Sequence, residues 1–196
     1  RTKRGEGKYS TFYGHDVVGA KMTAEIVERL KFPKDLSEKV IKLVRYHLFY
    51  YNVGEVTESS VRRLLANVGS ENIEDLIKVR EGDRVGSGRP KAVPYKLRHL
   101  KYIVDKVSHD PISVKMLKID GNELMKKLGI HPGPKVGLIL NYLLAEVLDD
   151  PAKNNKEYLG KRVHELDKKT PEELRDALKL IEEAIKKDEE ERMKKY

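Results

Sequence analysis

Apolar residues recur at intervals of three and four along almost the whole chain, and nowhere do they alternate with polar ones as a half-buried strand requires. That pattern restricts the fold to packed helices. Val17, Ala20, Ala24, Val27 and Leu30 line one face of a helix predicted over 16–30, after a Gly-rich, basic and aromatic loop at 1–14. Lys31-Phe32-Pro33 ends it, because a residue before proline avoids the helical region. Asp35 or Ser37 caps the next helix, whose face is Val40, Ile41, Val44 and Leu48. Phe49-Tyr50-Tyr51-Asn52 reads as an aromatic turn closing a core corner, with base stacking as the alternative. A third helix runs from Thr57 or Ser59 through Leu64, Leu65 and Val68 to Gly69, with Arg62-Arg63 on a solvated face. A fourth, Glu71 to Arg80, carries Ile73, Leu76, Ile77 and Val79 and brings Asp83 to its end.

Glycines 82, 86 and 88 with prolines 90 and 94 then break the helical text, and Arg84, Arg89 and Lys91 make the break basic. It reads as a linker, or as a loop ordered by phosphate. Leu97, Leu100, Ile103, Val104 and Val107 form the face of a helix over 95–108, with His99 at its surface. Asp110-Pro111-Ile112-Ser113 opens a short helix through Val114, Met116 and Leu117, and Asp120 caps another containing Leu124, Met125 and Leu128. Gly129 ends that one in the left-handed conformation, and Pro134 starts the apolar helix that continues over 138–148. Asn154-Asn155 is a turn before a helix over 156–166. Thr170-Pro171-Glu172-Glu173 is a capping-box start to a final helix, with the stripe Leu174, Ala177, Leu178, Ile181 and Ile185. The expected fold is all-α, a multi-helix array divided into 1–83, a basic connection 84–94, 95–166, and a charged terminal helix 167–196.

The chain has 196 residues, enough to bury roughly 70% of the surface its unfolded form exposes. Its net charge is +8 and its pI about 9.4, which favours polyanionic partners through phosphate contacts and counterion release. Cysteine is absent, which excludes disulfides and thiolate metal sites and fits a cytoplasmic location. No apolar run approaches the roughly 18 residues of a membrane span. The opening Arg1-Thr2-Lys3-Arg4-Gly5 reads as mid-chain loop, so a piece of a longer protein is expected.

Two sets of residues are candidates for function. His15, His47 and Asp83 are polar positions set in apolar helical text, on separate helices, and imidazole and carboxylate are ligands for zinc, iron or manganese. Ordinary capping or core roles are the alternative. The second set is the hairpin Gly129, His131, Gly133, Lys135 and Gly137, where a helix start beside a lysine suits a phosphate. A tight helical hairpin without a ligand is the alternative. Arg84, Arg89 and Lys91 join this set as phosphate-binding candidates.

Several strings together resemble a known family. Phe12-Tyr13-Gly14-His15 with Gly19-Ala20, Arg29-Leu30-Lys31-Phe32-Pro33, and Leu43-Val44 with His47 resemble the HD-domain region of bacterial tRNA nucleotidyltransferases, the CCA-adding enzymes and their poly(A) polymerase relatives. Ile119-Asp120-Gly121-Asn122-Glu123-Leu124-Met125, Pro132-Gly133-Pro134-Lys135-Val136-Gly137, and Leu148-Asp149-Asp150-Pro151 with Asn154 resemble their carboxy-terminal RNA-binding part. The resemblance covers residues 8–166. It implies helical body and tail regions that hold a tRNA, without the nucleotidyltransferase head whose paired aspartates hold magnesium; ATP or CTP with Mg would belong to that head, and the chain alone would not add nucleotides.

The resemblance also bears on the metal candidates. His15-Asp16 spells HD, but Val17-Val18-Gly19-Ala20 follows where HD proteins have Ile or Leu, Gly and Lys, so the metal-binding doublet is expected upstream. His15 and His47 then match later histidines of the pattern, and Asp83 its closing aspartate. A site so incomplete would hold Mg, Mn, Ni or Zn weakly, if at all.

Three functions follow. The first is a tRNA-binding module in tRNA 3′-end processing, partnered by tRNA or other RNA and by the head domain, with no membrane partner. The second is a metal-dependent HD phosphohydrolase acting on nucleotides or cyclic phosphates. The third is a helical oligomerisation module, a homo-oligomer formed through 170–196.

Overall fold

The computed structural model describes residues 14–49, 51, 53–54, 56–86 and 95–194. Among them are nine α-helices and no strand, so the chain is all-α as its periodicity requires. The helices are α1 (His15–Arg29), α2 (Lys34–Tyr46), α3 (Glu58–Val68), α4 (Ile73–Gly86), α5 (Tyr95–Val107), α6 (Gly121–Leu128), α7 (Pro134–Asp149), α8 (Lys156–Asp167) and α9 (Pro171–Lys194).

The chain divides into two compact units, one of residues 1–51 and 68–99, the other of 52–67 and 100–196. In the first unit, α1 and α2 lie against each other and α2 packs on α4. Ala20 and Val27 from α1, Leu43 from α2, and Ile73, Leu76 and Ile77 from α4 are buried. An ion pair of Lys39 with Asp75, at 2.7 Å, ties α2 to α4. Of the apolar face predicted for α1, Ala20 and Val27 are buried but Val17 and Leu30 are exposed, and Val18, Met22 and Ile26 add a second exposed apolar stripe.

The second unit is built around α7. Ile139, Leu140, Leu143 and Val147 of α7 join Leu117, Ile119, Leu124, Leu159, Val163, Leu166 and Leu174 in one contiguous core. Each fully buried leucine or isoleucine there contributes on the order of 1.5–3 kcal/mol relative to exposure. The predicted helix boundaries in this unit follow their capping residues. Asp120 accepts from the Glu123 amide at 2.8 Å to start α6. Asn155 accepts from the Tyr158 amide at 2.8 Å to start α8. Before α9, the Thr170 amide donates to Glu173 at 2.7 Å and the Glu173 amide to Thr170 Oγ1 at 3.2 Å, the reciprocal bonds of a capping box.

Three local expectations are corrected. The short helix expected near 110–117 is a single 3₁₀ turn, Val114–Met116, because Pro111 and the extended backbone at Ser113 and Leu117 leave no length for α-helical bonds. The helix expected to stop near Arg80 continues to Gly86, since neither Gly82 nor Gly86 removes a backbone donor as proline does. Arg62 is not on a solvated face: it is 4% exposed, in the core-facing row of α3 between Val61 and Leu65.

Candidate nucleic-acid interface

The hairpin between α6 and α7 begins at Gly129, whose φ of +66° is the left-handed cap predicted for it, with its amide donating to the Met125 carbonyl. A Cβ there would meet nothing within 4 Å, so glycine is required by backbone conformation alone. The Ile130 amide also returns to the Met125 carbonyl, at 3.2 Å. Pro134 stands at the start of α7, which has no side-chain cap. Gly133 is extended, and His131, Gly133 and Gly137 are all exposed, with open space around the Gly137 Cα.

Lys135 behaves differently from its neighbours. Its Nζ donates to the Asp167 carbonyl at 2.6 Å and pairs with the Asp167 carboxylate at 2.7 Å. Its charge therefore satisfies the last turn of α8, where a cation meets the negative helix end. The hairpin is thereby held to α8.

The predicted metal residues separate into two groups. His15 and His47 meet, with Nε2 atoms 3.1 Å apart and ring centroids 5.1 Å apart. His47 is buried, and its Nδ1 donates to the Val44 carbonyl at 2.6 Å. A carbonyl only accepts, so His47 carries a proton on Nδ1, and the two Nε2 atoms share one hydrogen bond. Beside them Arg45 pairs with Asp16. Asp83 does not join: it pairs with Arg80 at 3.2 Å within α4. Among the described residues no three histidine, aspartate or glutamate side chains converge as metal ligands. Arg84 lies in α4, and Arg89 and Lys91 lie outside the described residues. Tyr51 Oη and His99 Nδ1 are hydrogen-bonded, and burial, then the nearby Tyr95, pushes the Tyr51 phenol above its ordinary range.

Two features of the second unit were not foreseen. Arg62 Nε donates to the Leu148 carbonyl at 2.7 Å, and its two terminal nitrogens reach the Asp149 carbonyl and the Asp110 carboxylate, each at 3.0 Å. It thus closes the end of α7, while Arg63 pairs with the Asp149 carboxylate. Its position three residues before Leu65 was the available signal. The other is a row of lysines along α6 and α8. Lys118, Lys126, Lys127, Lys156 and Lys161 are exposed and Lys153 half-buried, whereas Glu123, Glu157 and Asp120 are the acids among them.

Elsewhere on α8, Arg162 is held by Glu146 at 2.8 Å and by Glu165, which raises its already high pKa. Burial, then Glu146, raises the Tyr158 phenol. This cluster is internally neutralised and offers no net charge to a ligand.

Comparison with known proteins agrees with this architecture. The family model for tRNA nucleotidyltransferase domain 2 matches residues 16–163. An A-adding tRNA nucleotidyltransferase of Deinococcus radiodurans is 29% identical over 138 residues, covering 68% of this chain and 30% of that protein. A CC-adding tRNA nucleotidyltransferase of Thermus thermophilus is 30% identical over 133 residues, covering 68% of this chain and 29% of that protein. The chain thus spans less than a third of the length of these relatives. No solved structure matches it significantly. With the match extending from α1 into α8 and taking in both units, the chain belongs to the tRNA nucleotidyltransferase domain 2 family.

Proposed function

We propose that this chain is the helical, tRNA-gripping part of a tRNA nucleotidyltransferase, acting in tRNA 3′-end processing beside a head domain that supplies the nucleotide-adding chemistry with ATP or CTP and Mg. The observation that carries the reading is the family match over 16–163. The net charge of +8 supplies the physical means, since it favours phosphate contacts that position a polyanion without reading bases. The exposed hairpin of Gly129, His131, Gly133 and Gly137 lies against the backbone, with Lys135 as the strut that fixes it to α8 rather than as a free phosphate ligand. Arg84, Arg89 and Lys91 add cations from the basic stretch.

The metal-dependent phosphohydrolase reading needs Asp83 beside the histidine pair, and Asp83 instead pairs with Arg80. The test of the tRNA reading is anisotropy of labelled tRNA titrated with the whole chain over a salt series. Binding that weakens steeply as salt rises is expected. Absence of binding at low salt overturns the reading.

A further inference from the structure

Helices α6 and α8 run side by side, and three contacts set their register. The Lys118 amide donates to Asn154 Oδ1 at 2.8 Å, and Asn154 returns a bond to the Met116 carbonyl at 3.0 Å. One step further, Lys156 Nζ lies 3.4 Å from Glu123 Oε1. Four residues on along both helices, Lys127 Nζ lies 2.7 Å from the place a Cβ on Gly160 would occupy. The partners advance together, 123 with 156 and 127 with 160, so the helices are parallel and their exposed residues form one continuous seam.

That seam carries an excess of cations. Glu123 offsets Lys156, and Glu157 is taken by Lys161 at 2.9 Å. Lys118 and Lys127 are exposed and have no acidic partner among the described residues. Lys126, exposed beside Lys127 in the last turn of α6, likewise has none among the described residues, whereas the Lys153 ammonium lies over the Tyr158 ring on the α7-facing side of α8. The Lys127 amine rests over Gly160, which has no side chain to occupy that space.

We propose that the α6–α8 seam is a phosphate track for an RNA backbone, with Lys118, Lys126 and Lys127 as its contacts. It rests on the tRNA reading and extends the contact from the 129–137 hairpin back along α6. The track reads no sequence; it adds phosphates to the contact and so adds to the salt dependence.

The test is the salt series on the whole chain with labelled tRNA, comparing the parent with a Lys118→Gln, Lys126→Gln, Lys127→Gln triple variant. Each lost phosphate contact removes about 0.7–0.9 from the slope of log affinity against log salt, so a fall of roughly 2–3 is expected. A control triple on α9, Arg175→Gln, Lys179→Gln, Lys187→Gln, whose cations each pair with an acid on the same helix, removes the same net charge and is expected to leave the slope within about 0.5 of the parent. An unchanged slope in the seam triple overturns the track, as does an equal fall in the control. If the parent itself fails to bind tRNA at low salt, the tRNA reading falls and takes the track with it; a parent that binds with an unaffected seam triple removes the track alone.

Discussion

The two units bury polar groups in different ways. In the second unit the buried arginine is surrounded by partners: Arg62 spends its donors on two carbonyls and a carboxylate, within a unit whose core is continuous from α6 to α9. In the first unit the buried histidine leans on one carbonyl and on a second histidine, and much of the apolar face of α1 stands open. The difference teaches which interactions tolerate loss. A buried charge satisfied by several groups holds the ends of helices together and leaves costly orphans when removed. Two rings joined by one hydrogen bond can be replaced at lower cost.

The largest expected effect breaks the first of these arrangements. Arg62→Ala should destabilise the second unit by about 3–5 kcal/mol, because Asp110 and two helix-end carbonyls lose their partner. Arg62→Lys should recover little of this, since an ammonium cannot reproduce the fork. Urea unfolding followed by circular dichroism reads both.

Next in size is Gly129→Ala, expected to cost about 1–2 kcal/mol from left-handed strain alone, as nothing crowds the site. It also sharpens the interface account, because it distorts the hairpin without changing charge. Thermal unfolding gives the first quantity and tRNA anisotropy the second.

In the first unit His47→Ala should cost about 1–3 kcal/mol, whereas His15→Ala should cost about 1 kcal/mol or less, because His47 is buried and bonded to the Val44 carbonyl while His15 is half-buried. A double-mutant cycle isolates their coupling, and coupling indistinguishable from zero would contradict the shared hydrogen bond. On α1, Met22→Lys should change stability by less than about 0.5 kcal/mol, in contrast to any substitution in the α7 core.

The smallest effect is electrostatic. The Lys106 hydrogen bond holds the Glu58 carboxyl below its usual range. A carboxyl lowered on folding contributes stability that is present above its unfolded value and is lost as pH falls through the folded one. Urea midpoints measured from neutral to acid pH should therefore fall slightly more for the parent than for Glu58→Gln. The reverse order would contradict the pairing.

Much of this architecture was legible before any coordinates. Asp120, Gly129, Pro134, Asn155 and Thr170 mark helix ends through chemistry confined to a few neighbouring residues, and they appear where that chemistry puts them. What could not be read depended on distant partners. Arg62 looks like one half of a surface pair until Leu148, Asp149 and Asp110 are brought to it from residues far along the chain. Lys135 looks like a free cation at a helix start, but its partner Asp167 comes from the far end of α8. The convergence of His15 with His47 was foreseeable as two polar positions on adjacent apolar helices; the diversion of Asp83 to Arg80 was not, since an i, i+3 pair competes locally with any long-range site. The lysine seam was invisible for the same reason: its register is set by the packing of α6 on α8.

The proposed grip on tRNA rests chiefly on residues of the second unit. Hydrogen exchange of the whole chain, with and without saturating tRNA, tests it most directly. The account predicts added protection at the 129–137 hairpin and along α6 and the first turns of α8, with α1 and α2 unchanged. Protection confined to α1 and α2, or none at all under conditions where tRNA is bound, would contradict it.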